Sequence, residues 1–316
     1  TDRDVVMDNV LEDLNYAATT ITGTNKQRFS ANMALAMKAD ITLYEGTYCK
    51  YRNASDNAGK AADNTRAEKY LRECVSACEA LMSKGYSLNP SYKGNYNSIS
   101  LSSNPEMIFF KPYSQNVFMH STIDYTVNTS GTSGMTKNAF DSYLFLDGKP
   151  KATTTMDTND AAVKDADGKY NLESVLAVRD KRLAVTLDPV LCFKGSAYSR
   201  AGVASTTGYG IAKYDNPEEL AVGDRNSINK QYTDCPLFWL SVVYLNFAEA
   251  KAELGTLTQA DLDNSINKLQ ERAGLPGITT QPEADPANNM GVSNLLWEIR
   301  RCRRCELMCD NWTRYW

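Results

Sequence analysis

EIRRCRRCELMCDNWTRYW, from Glu298 to Trp316, decides the fold more than any other stretch of this chain. It holds five arginines, three cysteines and two tryptophans within nineteen residues. One apolar stripe recurs there at helical spacing: Leu295, Ile299, Cys302, Cys305 and Cys309. We therefore predict a helix from Ser293 to about Cys309. Its arginines are expected to pair with acids of neighbouring helices, such as Glu249 and Glu253, and to stack on tryptophan.

The cysteines of this stretch also suggest a metal site, but their spacing argues against it. Cys302 and Cys309 would lie about 10 Å apart along a helix axis. One tetrahedral ion with bonds of about 2.3 Å does not span that distance. We predict buried core thiols here, and also at Cys74 and Cys78, because free cysteine packs as a small hydrophobic residue. No metal and no cofactor is predicted.

Length, charge and cysteine count limit the classes of fold and function that this chain can have. A chain of 316 residues can bury a large core as one domain or two. The net charge of -4 and the lack of a second basic stripe argue against a nucleic-acid partner, despite the arginines. No apolar run approaches the roughly 18 residues that a membrane-spanning helix needs. The eight cysteines are an even number, as in disulfide-bonded exported proteins, but a chain this long does not need such staples.

Periodicity predicts helices at both ends of the chain and an irregular middle. The predicted helices are Arg3–Thr19, Arg28–Tyr44 ending at Gly46, Arg66–Ser83 stopped by Gly85, Leu237–Leu254 and Gln259–Arg272 with Thr258 as N-cap and Asp261 closing a capping box. The second and third form an antiparallel pair of the size of a tetratricopeptide (TPR) unit. Residues 1–85 and 235–316 are thus TPR-like, and 86–234 is a loop-rich region with short strands such as Met107–Phe110. We expect the loops to face a ligand.

Several strings, in order, resemble the SusD-like (RagB/SusD) family of outer-membrane nutrient-capture lipoproteins. They are RFSANMALAMKADITLYEGTY, NPEMIFF, AFDSYLFLDGKP, VRDKRL, YLNFAEAKAELG, INKLQERAGLP and the closing stretch. The chain departs from the family at Cys302, where relatives usually carry glutamate, and at Cys305, where they carry a large aliphatic residue. The resemblance implies a mainly α, single SusD-like domain over 1–316. It also implies that parts of the protein precede Thr1 and follow Trp316.

The resemblance implies a function as well. We expect non-catalytic binding of a glycan or peptide at the cell surface, and delivery to a TonB-dependent, SusC-like outer-membrane transporter. An N-terminal lipid anchor outside this chain would hold the protein on the outer membrane. Two alternatives stay open: a carbohydrate-active enzyme on an α-rich scaffold, and a TPR-type scaffold for protein partners. Paired carboxylates of a glycosidase are invisible in a sequence.

Candidate site residues come from the loop-rich region. Flat aromatic rings provide contact area for sugars or peptides at low entropic cost. The candidate ligand-binding aromatics are Tyr113, Phe118, Tyr125, Tyr198, Tyr209 and Tyr214. An acidic run resembles a calcium loop: Asp157, Asn159, Asp160, Asp165, Asp167 and Gly168. With Gly168 at loop position six, the first and last ligand positions fall on Val163 and Ser174, so the pattern fails. No catalytic residue is predicted, and His120 is the one histidine that a Ser-His-Asp system would have.

Overall fold

Helices dominate the computed structural model of the chain, and only one two-stranded sheet accompanies them among the described residues. Those residues are 2–55, 59–127, 133–164, 166, 168–191 and 205–310. The helices are α1 Arg3–Thr20, α2 Ala31–Tyr51, α3 Asn64–Met82, α4 Gly94–Asn97, α5 Thr122–Val127, α6 Lys137–Asp141, α7 Glu173–Leu176, α8 Lys181–Thr186, α9 Val222–Arg225, α10 Leu240–Glu253, α11 Gln259–Asp263, α12 Ile266–Arg272 and α13 Asn294–Glu306. The strands are β1 Met107–Lys111 and β2 Cys235–Trp239. The predicted mainly α fold is confirmed.

Helix α2 is longer than predicted, and Gly46 lies inside it. Ser30 caps its start, with the side-chain hydroxyl accepting from the backbone N–H of Met33. Gly46 does not end the helix. Its lack of a side chain serves helix packing instead. A Cβ at Gly46 would lie 2.7 Å from Leu71 Cγ, so the missing side chain lets α2 and α3 approach closely. The prediction of a helix end at Gly46 is therefore wrong.

Helix α3 carries the stripe that its sequence predicts. Its N-cap is Asp63, whose carboxylate accepts from the backbone N–H of Arg66. The predicted face is buried throughout: Tyr70, Leu71, Cys74, Ala77, Cys78 and Leu81. This face joins α2, α10 and α13 in the larger hydrophobic core. The buried thiols predicted at positions 74 and 78 are confirmed.

The segment before α10 is a strand rather than the first turn of a helix. Leu237 and its neighbours up to Trp239 belong to β2, which pairs with β1 in antiparallel register from Met107↔Trp239 to Lys111↔Cys235. A continuous apolar run has no period that separates strand from helix. The predicted helix start at Leu237 is therefore wrong, and α10 begins at Leu240.

The predicted helix from Gln259 to Arg272 is two helices in the structure. Its start is as expected, because Thr258 and Asp261 form a reciprocal capping box. The chain then breaks at Ser265, whose φ of -134° and ψ of -99° are not helical. Ile266 and Leu269 of the second piece are fully buried, so the break turns α12 onto the core.

Helix α13 places its thiols and arginines largely as the sequence predicts. Cys302 and Cys305 are buried, and burial raises their pKa to about 11 and about 12, so both stay protonated. Cys309 is exposed and stands beyond the helix end at Glu306, with a φ of 69°. The prediction that all three cysteines share one buried helical face is therefore wrong for Cys309.

The arginines of α13 pair with α10. Arg303 Nε lies 2.7 Å from a carboxylate oxygen of Glu249, and Arg300 lies 3.3 Å from Glu249 and 2.9 Å from Glu253. The predicted pairing with these two acids is confirmed. Trp312 and Trp316 lie outside the described residues. Arg301 lies over the Trp297 ring at 5.7 Å instead.

Glu306 closes α13 at the centre of a buried ionic network. Its carboxylate pairs with Arg182 of α8 at 2.9 Å and with Arg272 of α12. Arg272 also contacts Glu106 at 2.7 Å, next to β1. Burial opposes ionisation of Glu306, but Arg272 and Arg182 outweigh it and hold its pKa below the ordinary value. One carboxylate thus ties the loop-rich middle to the C-terminal helices.

Segment 86–234 contains short helices on the surface of this scaffold. A second, smaller core unites α6, α7 and α8 with Cys305 and Met308. Within the run from Tyr143 to Leu146, Phe145 pairs with Arg179 as an isolated bridge, and the backbone N–H of Gly148 closes a turn by donating to the Phe145 carbonyl at 2.8 Å. The division at residues 85 and 234, and the TPR geometry of the helix pairs, stay predictions. None of the described helices has the length and hydropathy to cross a membrane.

Candidate functional site

A short hairpin after β1 carries two of the predicted aromatic residues. Ser114 and Phe118 bond each other through both backbone N–H groups, each at 2.9 Å. Asn116 turns the chain with a φ of 62°, which asparagine tolerates better than most residues. Val117 at the tip is 82% exposed. The hairpin therefore projects apolar side chains into solvent from a fixed backbone.

Tyr113 and Phe118 stack on each other at the base of this turn. Their ring centroids lie 5.0 Å apart, and the rings are parallel to within 5°. Phe118 keeps 48% of its surface exposed. The Lys111 ammonium lies 4.5 Å from the Phe118 centroid and 5.2 Å from that of Tyr113. We define Lys111, Tyr113 and Phe118 as the aromatic platform; it offers a flat, partly exposed surface with one positive charge.

The His120 ring packs against Tyr113 of the platform. Its ring meets Tyr113 edge-on, with centroids 4.6 Å apart. The Thr122 backbone N–H donates to Nδ1 at 3.2 Å, so Nε2 carries the proton that bonds the Thr233 carbonyl at 3.0 Å. Both bonds fit the neutral ring, and burial lowers the pKa of His120. His120 is therefore uncharged and supports Tyr113 by packing against its ring.

The platform is also tied to the segment that precedes β2. Asp234 accepts the backbone N–H groups of Tyr113 at 2.8 Å and of Leu101 at 2.9 Å. Burial raises the pKa of Asp234 although these two bonds oppose the rise. His120 and Gln231 exchange backbone hydrogen bonds of 2.8 and 3.2 Å. These hydrogen bonds use backbone atoms and the Asp234 carboxylate, so they hold Tyr113 and His120 in place without covering the rings.

The other predicted aromatics occupy different surroundings. Tyr125 on α5 is 55% exposed. Tyr209 is half-buried, and its ring packs 5.3 Å from that of Phe140 in the smaller core. The Tyr214 hydroxyl donates to the Cys309 carbonyl at 2.7 Å, and its ring packs edge-on to Tyr96. Tyr198 lies outside the described residues.

The sequence profile of the SusD family matches residues 78–316 of this chain. This chain belongs to the SusD family. No curated protein sequence gives a significant match.

Solved structures of the SusD type share the fold. A SusD-like carbohydrate binding protein from Bacteroides fragilis NCTC 9343 superposes with a TM-score of 0.69 at 20% identity, over 99% of this chain and 57% of the other. A SusD superfamily protein from Parabacteroides distasonis ATCC 8503 gives 0.55 at 16%, over 98% and 55%. A third structure, solved with xylogluco-oligosaccharide, gives 0.58 at 18%, over 98% and 55%. This chain therefore spans little more than half the length of these SusD-type proteins.

Sequence reasoning about this SusD-family chain missed the supports of the platform. The sequence indicates no supporting role for His120, Lys111 or Asp234. The one available signal was the spacing of Tyr113 and Phe118 around Asn116, a residue typical of turns. Nothing in the sequence brings Asp234 to Tyr113, because they lie 121 positions apart.

One group of the described residues has the spacing of metal ligands: Asp4, Glu45 and Cys49. Basic side chains already occupy it, since Arg3 pairs with Glu45, and Arg52 pairs with Asp4 at 2.9 Å. Burial and the neighbouring Glu45 raise the pKa of Cys49 to about 12, so its thiol stays protonated. These residues stabilise the contact between α1 and α2 rather than hold a metal. Asp165 and Asp167 of the rejected calcium loop lie outside the described residues.

Proposed function

We propose that this SusD-family protein binds a glycan or peptide at the cell surface without catalysis and delivers it to a TonB-dependent, SusC-like transporter. Membership of the family over residues 78–316 is the observation that carries this proposal. One solved structure of the same fold is of a carbohydrate binding protein, and another was solved with an oligosaccharide. The proposal places the protein on the outer membrane, held by a lipid anchor outside this chain.

The aromatic platform is the part of this chain that we assign to the ligand. The exposed face of Phe118 offers an apolar surface against the C–H groups of a sugar ring. Tyr113 backs this ring, and His120 and Asp234 hold Tyr113 in place. These contacts come from the chain itself and hold the rings in place, and rings that are held in place bind a ligand at lower entropic cost. Tyr125 is a second exposed ring on the next helix and remains a proposed contact.

The remaining predicted aromatics contribute less to this proposal. The Tyr214 hydroxyl also bonds Asp310 at 2.9 Å, so reorienting the ring would break buried contacts. Tyr209 packs into the smaller core. We therefore rest the ligand site on the platform and Tyr125.

Affinity electrophoresis of the full-length protein against a panel of polysaccharides and peptides tests the ligand class. We expect at least one glycan to retard the protein, with no new products in the gel. Product release without added enzyme would favour the enzyme alternative. Retardation by no glycan or peptide, together with capture of a protein partner on the helices, would favour the scaffold alternative.

Transfer to a transporter needs a separate experiment. Detergent-solubilised outer membranes are passed over a column that captures the tagged full-length protein. We expect a TonB-dependent transporter to co-elute in stoichiometric amount, and its absence would refute the delivery step while leaving ligand binding untouched. Labelling with a fatty acid analogue tests the anchor in the same cells.

A further inference from the structure

A cavity of about 290 Å³ lies on another part of the molecule, away from the residues that form the platform. One wall is the turn from Leu144 to Thr153, and the other is the segment from Pro276 to Asp285 that joins α12 to α13. Gln270 of α12 and Glu298 of α13 also line it. The volume is at the lower end of the range for small-ligand pockets, about 300–1,000 Å³.

The first wall is fixed by its own hydrogen bonds. The Asp147 carboxylate accepts from the Lys149 backbone N–H at 3.0 Å and from the Thr154 hydroxyl at 2.7 Å. Gly148 has a φ of 77°, and a Cβ there would lie 2.5 Å from Pro276 Cγ. The two walls therefore touch at one end, and only glycine permits that contact.

The second wall is bonded to α12. The backbone N–H of Ile278 donates to the Asn267 side-chain oxygen at 2.7 Å, and the Asn267 amide donates back to the Ile278 carbonyl at 3.0 Å. At the rim, Lys149 and Glu283 form an ion pair of 3.1 Å that links the two walls. Hydrogen bonds therefore hold both walls, and an ion pair links them.

Gln270 presents an unused donor group to this cavity. The residue is only 3% exposed. Its amide oxygen accepts from Arg182 Nη2 at 3.1 Å, which fixes the orientation of the amide because a guanidinium can only donate. Among the described residues, nothing accepts a hydrogen bond from the amide nitrogen. The amide nitrogen is not among the fully enclosed unpaired atoms of the described residues, so it remains accessible, and an acceptor on a ligand can take the place of water there.

Glu298 supplies the complementary group. It shares Arg301 with Asp285: its carboxylate lies 3.0 Å from Arg301 Nε, while Asp285 pairs with the same guanidinium and with the Trp297 N–H at 3.1 Å. Burial raises the pKa of Glu298 to about 7. Near neutral pH the carboxyl therefore exists in both forms, and it can accept a hydrogen bond or donate one.

Basic side chains and backbone donors already pair with the acids of this lining. Asp285 is matched by Arg301, Glu283 by Lys149, and Asp147 by the donors of its own turn. Glu298 shares Arg301 with Asp285, so a ligand would meet the Gln270 donor and a partly paired Glu298 carboxyl, between walls that include Pro150, Pro276 and Pro282. A neutral ligand with several hydroxyl groups and an apolar face satisfies all of them.

We propose that this cavity is a second binding site, separate from the aromatic platform, which takes one neutral pyranose residue with a ring hydroxyl between Gln270 and Glu298. The affinity of such a small ligand is modest, with a Kd on the order of 1 mM. The site is independent of the proposed function of the platform, since it shares none of its residues.

Saturation-transfer NMR of the full chain with glucose, galactose, mannose, xylose and N-acetylglucosamine, one at a time, tests this proposal. We expect saturable transfer to at least one sugar. Thr279→Trp places a large ring on the lining of the cavity and should abolish the transfer, whereas Gln281→Trp, also exposed but outside the lining, should leave it unchanged. Gln270→Glu keeps the acceptor for Arg182, removes the donor and should weaken binding about tenfold.

Three results would overturn the proposal. One is the absence of saturable transfer with all five sugars, which would leave a cavity filled by water alone. Another is binding that Thr279→Trp leaves intact. The third is binding that Phe118→Ala removes and Thr279→Trp does not, because the sugars would then occupy the platform. Circular dichroism spectra of each variant show whether it is folded, and Thr279→Trp alters an exposed position, so it decides the matter if Gln270→Glu unfolds.

Discussion

The ion pair between Arg303 and Glu249 gives the sharpest prediction about stability. Arg303 is 3% exposed and Glu249 is fully buried. Arg303 has two partners among the described side chains, Glu249 at 2.7 Å and Asn246 at 2.9 Å. In Glu249→Leu the guanidinium would keep only the neutral amide. Arg300 is better placed, because it retains Glu253.

The expected magnitude follows from the burial. Two unit charges about 4 Å apart attract by about 4 kcal/mol at an effective dielectric constant of about 20. Removing one partner of a buried pair costs about 3–5 kcal/mol, since the other charge stays buried without compensation. We therefore expect Glu249→Leu to lower the free energy of unfolding by about 3–5 kcal/mol, a large share of the roughly 5–15 kcal/mol typical of a folded protein.

Urea unfolding followed by circular dichroism at neutral pH measures this loss. The matched control is Glu68→Leu, which removes the partner of Arg72 in a pair whose side chains are 54% and 64% exposed. That control should change stability by less than about 1 kcal/mol. The double variant Glu249→Leu with Arg303→Leu should recover part of the loss. A loss in Glu249→Leu as small as that of the control would show that the buried pair contributes no more to stability than an exposed one.

Three further predictions concern packing and pH. Gly46→Val should lower the free energy of unfolding in urea by about 1–3 kcal/mol, because it forces α2 away from Leu71. Gly223→Val, with open space around its Cβ, should be nearly neutral. Equal losses of stability in the two variants would contradict this prediction. Burial lowers the pKa of His120, so wild-type stability should fall as the pH drops below about 6.5. His120→Asn should remove this part of the dependence of stability on pH. Identical dependence in the two proteins would contradict the prediction. Burial raises the pKa of Glu298 to about 7, so the stability that the protonated carboxyl contributes is lost as the pH rises from about 4.3 to 7. Glu298→Gln should flatten the profile of stability against pH in that range. An unchanged profile would count against this prediction.

Local patterns predicted the helices that pack through a regular apolar face. The stripe of α3 and the capping box at Thr258 and Asp261 depend on residues within one or two helical turns. The pairing of Arg300 and Arg303 with α10 was also predictable, because two segments rich in opposite charges were expected to form adjacent helices. Such features need little knowledge of distant contacts.

Features decided by distant contacts were not predictable. Leu237 joins a strand because β1, more than a hundred residues earlier, offers a partner edge. Gly46 reads as a helix end, but its role is to admit Leu71 from the next helix. Both errors arise where tertiary packing outweighs the local preference.

The candidate site shows the same limit. The sequence shows Tyr113 and Phe118 only as aromatic residues of a loop-rich region and gives no indication that their rings stack. Their supports come from distant segments, as with Asp234. A list of surface aromatics therefore contains the platform, but only the folded chain separates it from Tyr214, whose hydroxyl is bonded to the chain near Asp310.

We propose that this protein binds a glycan through the platform and does not degrade it. Isothermal titration calorimetry of the full-length protein with the glycan that retards it most, followed by product analysis, tests this most directly. Phe118→Ala should weaken binding by about 2 kcal/mol or more, whereas Val117→Ala, its exposed neighbour, should change it little. Intact glycan with this difference between the two variants is the predicted result. Cleaved glycan, or equal affinity in both variants, would contradict the account.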